Sequence, residues 1–97
     1  MKIPTPGQIV LFHFHDRERK ALVTRPAVVV IPPDDNSGRL FCGLYVMWWP
    51  DDKPKQPQML ILSGYAASSM HVPTTVAPMA SDGAPADNTW THRPEDL

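Results

Sequence analysis

The sequence predicts a mainly β protein, a small and partly open antiparallel barrel of the SH3-like size class with four or five strands. Three observations carry that reading. Twelve of the 97 residues are proline, against an average usage of about 5%, and so many fixed φ angles and missing N–H donors argue against long helices. Short apolar runs rich in Val, Ile, Phe, Tyr and Trp recur along the chain, each bounded by turn formers. A chain of this length fits one domain that buries roughly two-thirds of its unfolded surface, enough for a single modest core.

The first strand is Gln8-Ile-Val-Leu-Phe-His-Phe-His15, started by Gly7 after Pro4-Thr-Pro6. The five residues Asp16-Arg-Glu-Arg-Lys20 are all charged, and a hairpin loop facing water suits them. The second strand is Ala21 to Ile31, with Pro26 at an edge or bulge where no ladder donor is needed and Ala27-Val-Val-Val-Ile31 central and buried. Pro32 to Gly38 is a loop. Arg39 to Trp49 reads as a long, bent third strand in which Gly43 marks a bulge or a close backbone approach. After the polar loop Pro50 to Pro57 comes a short fourth strand, Gln58 to Leu62, closed by Ser63-Gly64. Ala66 to Met70 forms one helical turn and His71-Val72 a brief closing strand. Residues 1–72 thus make the barrel domain, and residues 73–97 an extended Pro-rich arm that has no core of its own through Asn88 and docks through Trp90. That docking is onto its own barrel or onto a neighbouring subunit.

Nine Lys and Arg stand against ten Asp and Glu, so no strong field gathers phosphate backbones or anionic lipid. Non-specific nucleic-acid binding is not expected, and no apolar run approaches the roughly 20 residues that cross a bilayer. The N-terminus lacks the apolar stretch of a signal peptide, which points away from secretion. Cys42 is the only cysteine, which excludes an intramolecular disulfide and a cysteine zinc site.

Catalytic chemistry finds little support. His13 and His15 share one face of a strand, but two ligands make an incomplete metal site, and His71 and His92 have no fixed spacing to them. They read as half-exposed strand residues. Cys42 reads as a core residue, Ser63, Ser68 and Ser69 carry no nucleophile elbow, and Asp34-Asp35 and Asp51-Asp52 read as solvated loop charge. No cofactor is expected. The richest cluster is aromatic and cationic: Tyr45, Trp48 and Trp49 with Arg25, Arg39 and Arg93, groups that stack on rings and fork onto phosphates. Strand parity separates Trp48 from Trp49, placing one in the core and the other at a contact surface. With Trp90 and His92 of the tail, these are the ligand- or partner-binding candidates.

Pro4-Thr-Pro-Gly-Gln-Ile-Val10, Pro26-Ala-Val-Val29 and Thr89-Trp-Thr-His-Arg-Pro94 resemble the opening, strand and tail motifs of small proteins encoded by phages and prophages. Pro6-Gly-Gln-Ile-Val10 and Arg25-Pro-Ala-Val-Val-Val30 also resemble the PemK/MazF-like toxins, SH3-like barrels that cut RNA. That second resemblance implies a catalytic role for Arg25, assisted by a hydroxyl from the following strand, where this chain has Cys42-Gly-Leu-Tyr-Val46. The first implies a non-enzymatic binding or assembly protein: a virion component such as a capsid decoration or connector, forming homo-oligomers or joining other virion or host proteins. The alternatives are a phage accessory protein that blocks host defence by sequestering a nucleotide-like signal, and an RNA-cleaving toxin relative. Virion or host cytoplasm is the expected location.

Overall fold

The computed structural model describes residues 3–33, 40–54 and 74–96. Within them the chain is mainly β: β1 (Ile9–Asp16), β2 (Ala21–Ile31), β3 (Cys42–Val46), β4 (Thr74–Ala77) and β5 (Thr89–Thr91) form one antiparallel sheet in the order β4-β3-β2-β1-β5, curved into a half-barrel. The expected strand Gln58 to Leu62, the helical turn Ala66 to Met70 and His71-Val72 lie outside the described residues, as does Arg39.

Gly7, at φ 88°, turns the chain so that its N–H donates to the Val29 carbonyl at 2.8 Å, and β1 begins two residues later. The period of two then sorts the strand: Val10, Phe12 and Phe14 point inward and are fully buried, while Ile9 and Leu11 point outward and are half covered. Trp48 closes over this row edge-on, its ring 5.9 Å from Phe12 and 4.9 Å from Phe14.

The second strand keeps its expected bounds but not its expected burial. Ala27 and Val29 are in the core, whereas Val28 is half-buried and Val30 is 45% exposed, because the sheet has only one packed face here. Pro26 sits in a central strand, away from the bulge between Val29 and Ile31. It is tolerated because the β2–β3 ladder ends at Ala27 and Val46; one step further on, Pro26 serves only as an acceptor, from Met47 N–H at 3.0 Å. Gly43 provides the close approach: a Cβ there would lie 3.0 Å from Ile31 Cβ, and the bulge is on the partner strand.

The third strand is five residues long, not eleven as the stretch Arg39 to Trp49 suggested. After Val46 the chain turns, Trp48 N–H donating to the Val46 carbonyl at 3.1 Å, and this swings Trp48 inward instead of extending the ladder.

The described part of the expected arm, from Thr74 onward, packs on the sheet. Thr74 to Ala77 pair with β3, and Thr75, Ala77 and Ala80 are buried. Residues 78–80 then run beside β5, where Trp90 N–H donates to Pro78 O at 3.0 Å and Ala80 N–H donates to Trp90 O at 2.9 Å. These two bonds tie the chain leaving one sheet edge to the strand at the other. Trp90 lies opposite Phe12, is fully buried, and donates Nε1–H to the Leu40 carbonyl at 2.9 Å, so it docks on its own sheet.

Candidate functional site

Arg25 pairs across the sheet with Phe12, and that register places a guanidinium on the inner face, with its side chain only 10% exposed. A buried cation needs a counter-charge. Asp52 supplies it as a two-pronged fork, Arg25 Nε donating to Oδ2 at 2.9 Å and Nη2 to Oδ1 at 2.8 Å. The remaining Nη1 donates to the Thr24 carbonyl at 3.1 Å. Asp52 is therefore not solvated loop charge; its side chain is 1% exposed.

The same carboxylate orders the loop that carries it. Oδ2 accepts Trp49 N–H at 2.8 Å, and Oδ1 accepts Arg19 Nη1 at 3.0 Å. Burial alone would push the Asp52 carboxyl up, but the bonds from Arg25, Trp49 N–H and Arg19 outweigh it and hold the group below its ordinary range.

Arg19 links this loop to the β1–β2 hairpin. Its Nη1 also donates to Asp16 Oδ2 at 2.9 Å, and its Nη2 donates to Asp51 Oδ2 at 2.9 Å. Asp16, expected to face water with the rest of the hairpin loop, is fully buried at the end of β1. It is satisfied by N–H groups of Glu18, Arg19 and Lys53 at 2.8–2.9 Å. The Arg19 and Lys53 N–H groups hold its carboxyl below the ordinary range against the opposing effect of burial. Arg17 N–H donates to Lys53 O at 2.8 Å, so the hairpin and the loop are also joined through backbone.

On top of this network lies Trp49. Arg25 Cζ sits 3.9 Å from the centroid of its ring, while the residue as a whole is 57% exposed. Adjacent in sequence, Trp48 belongs to the core and Trp49 to the surface. Two guanidiniums, Arg19 and Arg25, face three carboxylates, Asp16, Asp51 and Asp52, which leaves the cluster with one net negative charge. Both Arg25 prongs are committed to Asp52, so a phosphate, or an RNA transition state, reaches the guanidinium only by displacing that carboxylate.

The structure thus brings Arg25 and Trp49 together at this site, pairs Trp90 with His92 elsewhere, and leaves Tyr45 and Arg93 apart from both. Tyr45 stands on the outer face of β3, 38% exposed. Arg93 pairs with Asp96 at 2.9 Å and with Glu95 at 4.0 Å. His92 is buried edge-on against Trp90, with ring centroids 5.2 Å apart. His13, expected half-exposed, is buried across three strands, Nδ1 2.8 Å from Thr24 Oγ1 and Nε2 2.8 Å from Thr91 Oγ1; burial lowers its pKa. The buried Cys42 thiol is pushed up to about 12, which keeps it protonated and inert.

A second surface lies on the other side of the sheet. Ile9, Val28 and Tyr45 form one cross-strand row, Leu11 and Pro26 another, and Val76 and Ile31 flank Gly43. No outward position of β1, β2 or β3 carries Lys, Arg, Asp or Glu, nor does Val76 of β4. Val30, Tyr45 and Val76 are each more than a third exposed on it.

From sequence, Asp16, Arg19 and Asp52 read as solvent-facing loop charge and not as site residues. The available signal was the parity of Arg25, which an alternation fixed by Phe12 and Phe14 places inward, where it requires a carboxylate. No protein-family model, no curated protein and no solved structure matches the chain.

Proposed function

We propose that this protein is a non-enzymatic assembly module, a phage-encoded structural component of the decoration or connector kind, which associates through the outer face of its sheet. The observation that carries the reading is the charge-free apolar face built on Ile9, Val28, Tyr45 and Val76. Bringing two such faces together opposes no like charges and desolvates no ion, and a central tyrosine supplies rigid contact area. The resemblance of both chain ends to phage-encoded proteins supplies the setting, a virion or its host cytoplasm.

The test is native mass spectrometry and light scattering on wild type and on Tyr45→Lys and Val76→Lys. The expected result is a defined oligomer that both substitutions convert to monomer with an unchanged far-UV spectrum. A wild-type monomer at the highest soluble concentration removes self-association, and absence of the protein from purified particles removes the virion setting.

A second reading, sequestration of a nucleotide-like signal by an accessory protein, draws on the contact between Arg25 and Trp49. It requires a phosphate to replace Asp52 on Arg25, and retention of no nucleotide by purified protein would end it.

A further inference from the structure

We infer that Trp49 is a preorganised stacking platform for an uncharged sugar ring, with Asp51 and Arg19 beside it to hold the ring's hydroxyls. Leaving more than half of a tryptophan in water forfeits much of its burial gain, yet the fold fixes this residue rather than releasing it. Asp52 grips it twice, by accepting the Trp49 N–H at 2.8 Å and by fixing Arg25, whose guanidinium covers one ring face at 3.9 Å from the centroid. A ligand stacking on the opposite face therefore meets a ring with little freedom left to lose. Among the described residues no aromatic ring stacks on Trp49.

The surroundings select the ligand class. A phosphate or carboxylate is opposed because both guanidiniums, Arg19 and Arg25, are already paired with carboxylates. A cation is opposed too, because Arg25 on one face already draws on the negative quadrupole that a second cation would need. The polarised C–H groups of a pyranose carry only a small positive charge and tolerate this. A small pocket of about 140 Å³, lined by Glu18, Arg19 and Asp51, lies against the network that holds the ring. It has room for a hydroxyl or hydroxymethyl group together with its hydrogen-bonding partners. The Asp51 side chain is 69% exposed and accepts, while Arg19, 34% exposed, donates, so both halves of a hydroxyl's hydrogen-bonding capacity are met. The inference is independent of assembly through the outer face, since Trp49 is not on it.

The experiment is a glycan-array screen of the full chain, followed by intrinsic-fluorescence titration with maltohexaose, cellohexaose, chitohexaose and adenosine. Trp48 and Trp90 are largely shielded, so a shift on binding reports Trp49. The expected result is retention of at least one neutral glycan, a fluorescence change with the corresponding hexasaccharide, and roughly tenfold or greater weakening in Trp49→Ala, the size expected of an aromatic hot spot. Asp51→Asn, which leaves the stack intact, is expected to weaken binding by a smaller factor. Retention of no glycan overturns the proposal. So does binding of adenosine alone that is lost in Trp49→Ala, which would reassign the platform to a nucleobase, and so does glycan binding that Trp49→Ala leaves unchanged.

Discussion

The half-barrel is fastened at two places by opposite chemistry. Around Trp90 the closure is apolar: a fully buried indole against Phe12, with one side-chain bond to Leu40 and two backbone bonds to residues 78–80. Around Asp52 it is ionic: two buried carboxylates, Asp16 and Asp52, and two guanidiniums join the hairpin, the inner face of β2 and the loop after Trp49. The first stabilises by burial and depends little on solution conditions. The second is stable only while each buried charge keeps its partner, so it adds specificity of loop position more than net stability.

Removing the indole tests that contrast most strongly. Trp90→Ala is expected to cost about 3–5 kcal/mol, the range for large-to-small core changes, a substantial part of the total stability of a small domain. Urea unfolding followed by far-UV circular dichroism would read it, and a loss below about 1 kcal/mol would show that the site collapses without it.

At the ionic seam the expected loss for Asp52→Ala is about 3 kcal/mol, because Arg25 is left buried and unpaired. The double variant Asp52→Ala with Arg25→Met should recover most of that loss. If the double variant is as unstable as the single one, the fork contributes a net attraction and the contrast between the seams fails.

Acid separates the seams further. The Asp16 and Asp52 carboxyls lie below their ordinary value of 3.8, so their contribution is complete above that pH and is lost as the pH falls through their folded values. His13 acts earlier. Its folded pKa is below 6.5, so between that folded value and 6.5 the unfolded chain binds more protons and stability rises with pH. The urea midpoint should therefore decline as pH drops below 6.5, and His13→Gln should flatten that decline while leaving the steeper carboxylate-driven loss in place. The smallest effect is expected at the rim, where Asp51→Asn should change stability by no more than about 0.5 kcal/mol, as for exposed ion pairs.

The sequence was legible where neighbouring residues decide the structure. Ala21 to Ile31 could be bounded correctly because β-branched content and flanking charge are local signals. Arg39 to Trp49 reads as one strand from sequence because apolar composition does not distinguish a paired backbone from a turn whose tryptophan fills the core. Thr74 to Ala77 was missed for the reverse reason: pairing through backbone groups needs no large side chain, and small residues packed against Leu44 and Cys42 leave no hydrophobic signature. At the candidate site, Arg25 and Trp49 were visible by type. Their partner Asp52, 27 positions beyond Arg25, was indistinguishable from any loop carboxylate until the fold supplied the register.

The pairing of β1 with β5 also fixes when this protein can finish folding. His13 and Thr91, 78 positions apart, touch each other, and Phe12 faces Trp90. A growing chain can form the β1–β2 hairpin early, but the inner faces of Phe12 and Phe14 stay incompletely covered until the segment carrying Trp90 has been synthesised. Such non-local pairing is slow to form, and the half-covered hairpin is the species most exposed to aggregation while it waits. Among the described strands the one made latest, β5, is the one that covers Phe12, so sealing of this core waits for synthesis of that segment.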